Sequence, residues 1–275
     1  MAKECNSTTC SKESCEGCPS KKKNSFLAEM NAYSNVRHVI GVVSGKGGVG
    51  KSMITASLAN QMAKRGFRVG ILDADITGPS IPKMYGIKGP ASADSNGILP
   101  MLAENDIKVM SINLLLPNEE EPVIWRGPVV SNMVKQFWSD VIWGELDYLF
   151  VDMPPGTGDV PLTVFQSLPI QGIFIVTSPQ ELVKMIVAKA HKMAQMMNIP
   201  VLGVVENYSY LQCPDCGKKI AVFGESHVEE AAAEYGIPVV GKVPIDPSYA
   251  AAADAGAFHT VDNTFVEAAL EQLPR

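Results

Sequence analysis

From residue 36 onward, short runs of mostly apolar residues alternate with longer stretches in which apolar residues recur at helical spacing. The runs at 39–44, 68–73, 107–112, 148–152, 172–177, 201–206 and 239–243 are rich in Val and Ile and nearly continuous, the pattern of strands buried on both faces. The stretches at 52–65, 129–141, 179–197, 225–235 and 262–273 predict helices between most of them. This alternation predicts an α/β fold: a doubly wound, mostly parallel sheet with helices on both faces. Ligands of such sheets bind beyond the carboxyl ends of the strands, so the chemistry is expected in the residues that follow each run. The segment 86–106, rich in Gly, Pro, Ser and Asp, predicts a loop or small hairpin insertion. Met185, Met193, Met196 and Met197 in the 179–197 stretch read as core packing at helical spacing.

The pattern is missing from residues 1–35. They hold Cys5, Cys10, Cys15 and Cys18 among Ser, Lys, Glu and Asn, with hardly a large apolar residue before Phe26. Such a segment buries too little apolar surface to order itself, which predicts a flexible, disordered Cys-rich tail that a metal would order, ahead of a folded domain at 36–275.

Composition narrows the functions. The 275 residues suit one large domain, and a net charge of −6 gives no footprint for nucleic acid or an anionic membrane. Lys21-Lys22-Lys23 reads as a solvated part of the tail. The polar start at Met1–Ser7 has no apolar core of a secretion signal, and no stretch reaches the roughly 18 apolar residues of a membrane span. A cytoplasmic location is the expectation, where thiols stay reduced and the six cysteines read as metal ligands or redox groups.

Gly45-Lys46-Gly47-Gly48-Val49-Gly50-Lys51-Ser52 follows the first apolar run and opens the first helical stretch, the context a phosphate loop requires. Its glycines let successive backbone N–H groups turn around phosphate oxygens, at the positive end of a helix. Lys51 is expected at the β- and γ-phosphates and the Ser52 hydroxyl on Mg²⁺, with ATP as the nucleotide. Asp73 and Asp75 end the second run and Asp152 ends a later one. Asp152 has the place of the carboxylate that holds Mg²⁺, Asp75 that of a group orienting the attacking water, and Asp73 either assists the metal or anchors its turn. Ile76-Thr77-Gly78-Pro79-Ser80 and Met153-Pro154-Pro155-Gly156-Thr157-Gly158-Asp159 look like γ-phosphate sensors.

Lys46 within that loop resembles the signature lysine of the deviant Walker A branch, which holds the Min/Par positioning ATPases, the nitrogenase iron protein and the Mrp/Nbp iron–sulfur carriers. The last group is singled out by Asp73-Ala74-Asp75-Ile76-Thr77-Gly78-Pro79-Ser80, Trp125-Arg126-Gly127-Pro128, 151–159, Val205-Glu206-Asn207-Tyr208-Ser209 and Cys213-Pro214-Asp215-Cys216-Gly217. The resemblance spans residues 36–273. It implies a P-loop ATPase that forms a homodimer with two ATP sites near the shared interface. Lys46 would reach the partner's nucleotide, Asn207 would contact adenine, and Pro244-Ile245-Asp246 would line the other side of the base.

Cys213-Pro214-Asp215-Cys216 is a knuckle of two thiols on a tight turn, whereas tetrahedral sites take four ligands. Two knuckles from two subunits, completion by the tail cysteines, or a redox dithiol all satisfy the arithmetic, and a Cys₄ site suits zinc or an iron–sulfur cluster. The resemblance favours a 4Fe–4S cluster bridged by Cys213 and Cys216 of each protomer. Cys15-Glu16-Gly17-Cys18-Pro19 resembles the core of the N-terminal cluster site of the Nbp-type members, so Cys5, Cys10, Cys15 and Cys18 are candidates for a tail cluster or zinc site. The resulting expectation is a slow ATPase that carries a cluster from assembly scaffold proteins to apo iron–sulfur proteins. The competing readings are a Min/Par-type positioning ATPase, an electron-transfer ATPase, and a nucleotide switch with a structural zinc.

Overall fold

The computed structural model describes residues 27–75, 78, 80–116, 127–156, 158–179 and 182–275. The first four tail cysteines and Trp125-Arg126 therefore lie outside the described residues, as do Ile76, Thr77, Pro79 and Thr157. Within the stretch assigned to the tail, Ala28 accepts a hydrogen bond at 3.1 Å from the Trp138 indole and its N–H donates at 2.9 Å to the Ser167 carbonyl.

The chain starts with β1 (Asn35–Ser44), α1 (Lys51–Lys64), β2 (Val69–Asp73) and a short α2 (Ile81–Met84). The 86–106 insertion holds the hairpin β3 (Ala93–Asp94) and β4 (Gly97–Ile98), then β5 (Met101–Leu102). Next come β6 (Lys108–Ser111), α3 (Gly127–Ser139), β7 (Glu145–Asp152), α4 (Asp159–Ser167), β8 (Gly172–Thr177) and α5 (Val183–Met196). The last part comprises β9 (Val201–Gln212), β10 (Lys219–Ile220), α6 (Val228–Ala233), β11 (Val239–Pro244), α7 (Pro247–Asp254) and α8 (Glu267–Leu270).

The main sheet runs β10-β9-β8-β1-β7-β2-β6-β5, and β11 also pairs with β9. Its inner pairs are parallel, while β5 and β10 join antiparallel at the two ends of that order. Alternation along β1 explains the two cores. Val39 and Val43 face a cluster with Leu149, Trp143, Phe137 and Val187, whereas Ile40 and Val42 face one with Ile54, Leu58, Phe150 and Phe174. Every one of these side chains is essentially solvent-free, so both faces of the sheet are covered, as the continuous apolar runs demanded. Among the described residues, no helix is long and apolar enough to cross a membrane.

Three departures matter. β9 continues six residues beyond the run at 201–206, to Gln212, because β10 and β11 pair with its outer half. Helices α4 and α7 arise where no helical stripe was expected; α7 is capped by Asp246, whose carboxylate accepts from the Ser248 N–H at 2.8 Å, with Pro247 in its first turn. The 262–273 stretch is not one helix. A 3₁₀ turn at Thr264–Val266 precedes α8, and the buried Asn263 side chain is diverted into bonds with Ser57 and the Val261 carbonyl.

Candidate functional site

The phosphate-loop sequence sits between β1 and α1, at the carboxyl end of the central strand. Lys46 to Ser52 line one wall of a cavity of about 790 Å³, the size of a nucleotide pocket. Gly48 and Gly50 have φ of 78° and 80°, left-handed values that turn the loop around its centre. A Cβ built on Gly47 or Gly48 would meet no atom within 4 Å, so nothing packs against the loop at these two positions. Gly45 instead lies under Ile186 of α5, which a Cβ would strike at 2.5 Å.

Beneath the loop the charges converge. Lys51 Nζ lies 2.8 Å from Asp152 Oδ1 and 3.4 Å from Asp75 Oδ2. The Ser52 hydroxyl donates to Asp152 Oδ2 at 2.5 Å, and the Thr55 hydroxyl to Asp152 Oδ1 at 2.9 Å. Burial alone would lower the Lys51 pKa, but Asp152 and then Asp75 outweigh it and hold the ammonium above its ordinary value. Ser52 Oγ and Asp152 form a pair of hard oxygen donors beside the phosphate cradle, which fits Mg²⁺ with most of its shell left to water and phosphate.

Asp73 sits one layer deeper. Its carboxylate accepts from the Ser111 hydroxyl at 3.2 Å and from the N–H groups of Ile81 and Asp75 at 3.3 and 3.2 Å, so it anchors the turn after β2. Complete burial, then the Asp152 charge, push its carboxyl up to about 8. Of the two sensor segments, Gly78, Ser80 and Pro155 reach the cavity wall.

The cavity is also lined by Pro244-Ile245-Asp246-Pro247, Tyr249 and Tyr208. Asn207 is not part of that lining. It is fully buried behind the loop, donating from Nδ2 to the Val49 carbonyl at 2.9 Å and accepting from the Tyr208 N–H at 2.9 Å. Thr55 and Tyr208 were given no role in the sequence. Thr55 falls one turn after Lys51, a spacing that alone puts it beside the same partners; Tyr208 stood within the 205–209 motif, with Asn207 taken as its functional residue.

Cys213 and Cys216 stand apart from the cavity, between the end of β9 and β10. The Gly217 N–H donates to the Cys213 carbonyl at 2.9 Å and the Cys213 N–H to the Lys218 carbonyl at 3.0 Å, closing the knuckle, with Gly217 at φ 70°. Backbone N–H groups of Cys216 and Asp215, then the Cys216 thiol, bond the Cys213 sulfur and lower its pKa. Among the described residues no group of three or more Cys, His, Asp or Glu could hold a metal ion, so the knuckle offers two thiols and lacks a second pair.

The family model described as ParA, NUBPL iron-transfer P-loop NTPase, matches residues 35–273. The iron–sulfur cluster carrier protein of Clostridium perfringens (strain 13 / Type A) is 47% identical over 253 residues, covering 85% of this chain and 89% of that protein. The structure of the nucleotide-binding protein of Archaeoglobus fulgidus in complex with ADP superposes with a TM-score of 0.75 at 44% identity, covering 82% of this chain and 89% of the other. The septum site-determining protein MinD of Pyrococcus horikoshii with Mg-ADP has the same fold, at a TM-score of 0.57 and 18% identity over 86% of this chain and 94% of its own.

Proposed function

Because the chain belongs to the ParA-type NUBPL iron-transfer P-loop NTPases, we propose that it binds and hydrolyses ATP at the phosphate loop and carries a 4Fe–4S cluster, as cargo, on Cys213 and Cys216. Lys46–Ser52 hold the triphosphate, with Lys51 neutralising its β/γ end. Ser52 and Asp152 would hold Mg²⁺, which would supply positive charge to offset that of the leaving phosphates. Asp75 orients the attacking water, while Asp73 supports the metal side from behind. Pro244 flanks the base, and Asn207 serves adenine binding through the loop it braces. The homodimer supplies the second thiol pair, and Lys46 reaches the partner's nucleotide. Apo iron–sulfur proteins receive the cluster, and assembly scaffold proteins load it. Cys5, Cys10, Cys15 and Cys18 form a separate tail site for a cluster or zinc.

The observation that carries this reading is the coexistence of an open phosphate loop with a knuckle of two free thiols, one half-buried and one exposed, which supplies two of the four ligands that a Cys₄ site takes. Anaerobic reconstitution tests it, in full-length protein with the four tail cysteines changed to Ser. With Cys213 and Cys216 intact, about four iron and four sulfide per dimer are expected. Adding Cys213→Ser/Cys216→Ser abolishes loading. Equal loading of the two proteins overturns the bridging site.

A further inference from the structure

Three carboxylates are fully buried among the described residues: Asp73, Asp152 and Glu206. The first two belong to the nucleotide site, and Glu206 neither lines that cavity nor touches its lysine. A carboxylate in the interior is costly unless its oxygens are met by donors. Both Glu206 oxygens are met: Oε2 accepts from the Ser209 hydroxyl at 2.6 Å and Oε1 from the Ser226 hydroxyl at 2.7 Å.

The two serines bracket the knuckle in sequence. Ser209 lies in β9 before Cys213, and Ser226 follows Cys216 just ahead of α6, whose Val228 N–H donates to the Ser226 hydroxyl at 3.3 Å. Between them, residues 214–225 are all exposed, so no core packing fixes that stretch. One buried carboxylate of β9 thus bonds a serine on each side of the cysteine-bearing segment, and through Ser226 it ties the far end of that segment back to the sheet. Its neighbour Asn207 braces the phosphate loop at Val49.

We propose that Glu206 is a positioning residue for the cysteine site, a staple that closes the Ser209–Ser226 segment and fixes where Cys213 and Cys216 present their thiols. The inference rests on the cargo reading above for its consequence, and on the Glu206 geometry for its cause. Releasing one end lets the knuckle move relative to its partner thiols and opens it to competing ligands, while leaving the phosphate loop intact.

The test uses full-length protein and three variants: Ser226→Ala, Ser209→Ala and Glu206→Gln. Two readouts are taken, amide hydrogen exchange across residues 210–225 and the rate at which a chelator strips iron from the reconstituted dimer. Loss of one of the two hydrogen bonds that hold the segment predicts exchange and stripping about tenfold faster in Ser226→Ala. ADP affinity is expected to stay within about twofold, since no nucleotide contact changes. Glu206→Gln, which keeps one acceptor and gains a donor that a rotated serine hydroxyl can accept, is expected near the unmodified protein in both readouts. Unchanged exchange and unchanged stripping in both serine variants overturn the staple. Equal loss of ADP affinity and cluster retention overturns it also, because it marks general destabilisation. If exchange quickens but the unmodified protein loads no cluster on Cys213 and Cys216, the staple stands and the cargo reading falls.

Discussion

The side-chain amide of Asn207 donates to the carbonyl of Val49 across 2.9 Å, tying strand β9 to the phosphate loop. The fit leaves no slack: a Cβ on the neighbouring Gly50 would stand 2.1 Å from Asn207 Nδ2. Asn207→Ala therefore leaves a buried carbonyl without its donor and a gap behind the loop. ATP affinity is expected to fall about tenfold, read by isothermal titration calorimetry. Because the side chain is buried, the loss should appear equally with GTP, whereas direct adenine recognition would make it specific to ATP.

The loop glycines should separate folding from binding. Gly50→Ala combines φ 80° with that clash, so it is expected to lower the melting temperature and abolish nucleotide binding. Gly47→Ala adds a methyl to open space. It should melt like the unmodified protein yet bind ATP poorly, because the methyl occupies phosphate volume. Thermal unfolding beside nucleotide titration distinguishes the two.

Lys51 pairs with two carboxylates, Asp152 at 2.8 Å and Asp75 at 3.4 Å. Lys51→Met removes the cation 2.8 Å from buried Asp152 and should cost about 3–5 kcal/mol of stability without nucleotide. Adding Asp152→Asn should restore part of it, because the stranded charge disappears. Urea unfolding of the two single variants and the double measures the coupling. Additive losses would mean the pair is not coupled in the folded state.

These sites differ in how openly the sequence carried them. The phosphate loop, Asp75 and Asp152 were legible because each follows a continuous apolar run, and a parallel sheet puts those positions at one edge. Glu206 also ends a run, but nothing local distinguishes a carboxylate facing ligand from one stapling a distant serine. Ser226 is the missing half, and only tertiary structure supplies it. Two helices were hidden: α4 is short and carries Pro161, although it buries Val164 and Phe165, and the alanine-rich α7 has no fully buried residue to mark a stripe. In 262–273 the helical period was present, but the buried Asn263 overrode it through Ser57 and Val261.

Just before β2, Arg68 donates to Asp147 of β7 from Nε at 3.1 Å and Nη2 at 2.9 Å. The side-chain bonds from Arg68, then its backbone N–H, hold the Asp147 carboxyl at about 2. A folded pKa below the unfolded value of about 3.9 contributes stability above that value, and the contribution is lost as pH falls through about 2. Asp147→Asn is thus expected to lower the melting temperature by about 2 °C at neutral pH. The gap should close between about pH 4 and pH 2, measured by calorimetry across that range. A constant gap would assign the loss to packing.

Cys213 should behave as the more acidic thiol that its bonds describe. Its sulfur is lowered first by the Cys216 N–H and then by the Asp215 N–H, with the Cys216 thiol contributing less. Iodoacetamide alkylation of the apo protein, followed by peptide mass across pH, should give Cys213 an inflection below the roughly 8.5 of a free cysteine. Exposure works the other way, since Cys213 is half-buried and Cys216 exposed, so the limiting rate at high pH should be slower for Cys213. Cys216→Ser separates the causes. The backbone donors survive that change, so the Cys213 inflection should stay depressed. Its return to the free-cysteine value would place the effect in the partner thiol and remove the knuckle turn as its source. The thiolate is the form that ligates iron, so the Cys216 and Asp215 N–H groups that favour it at Cys213 also favour cargo binding.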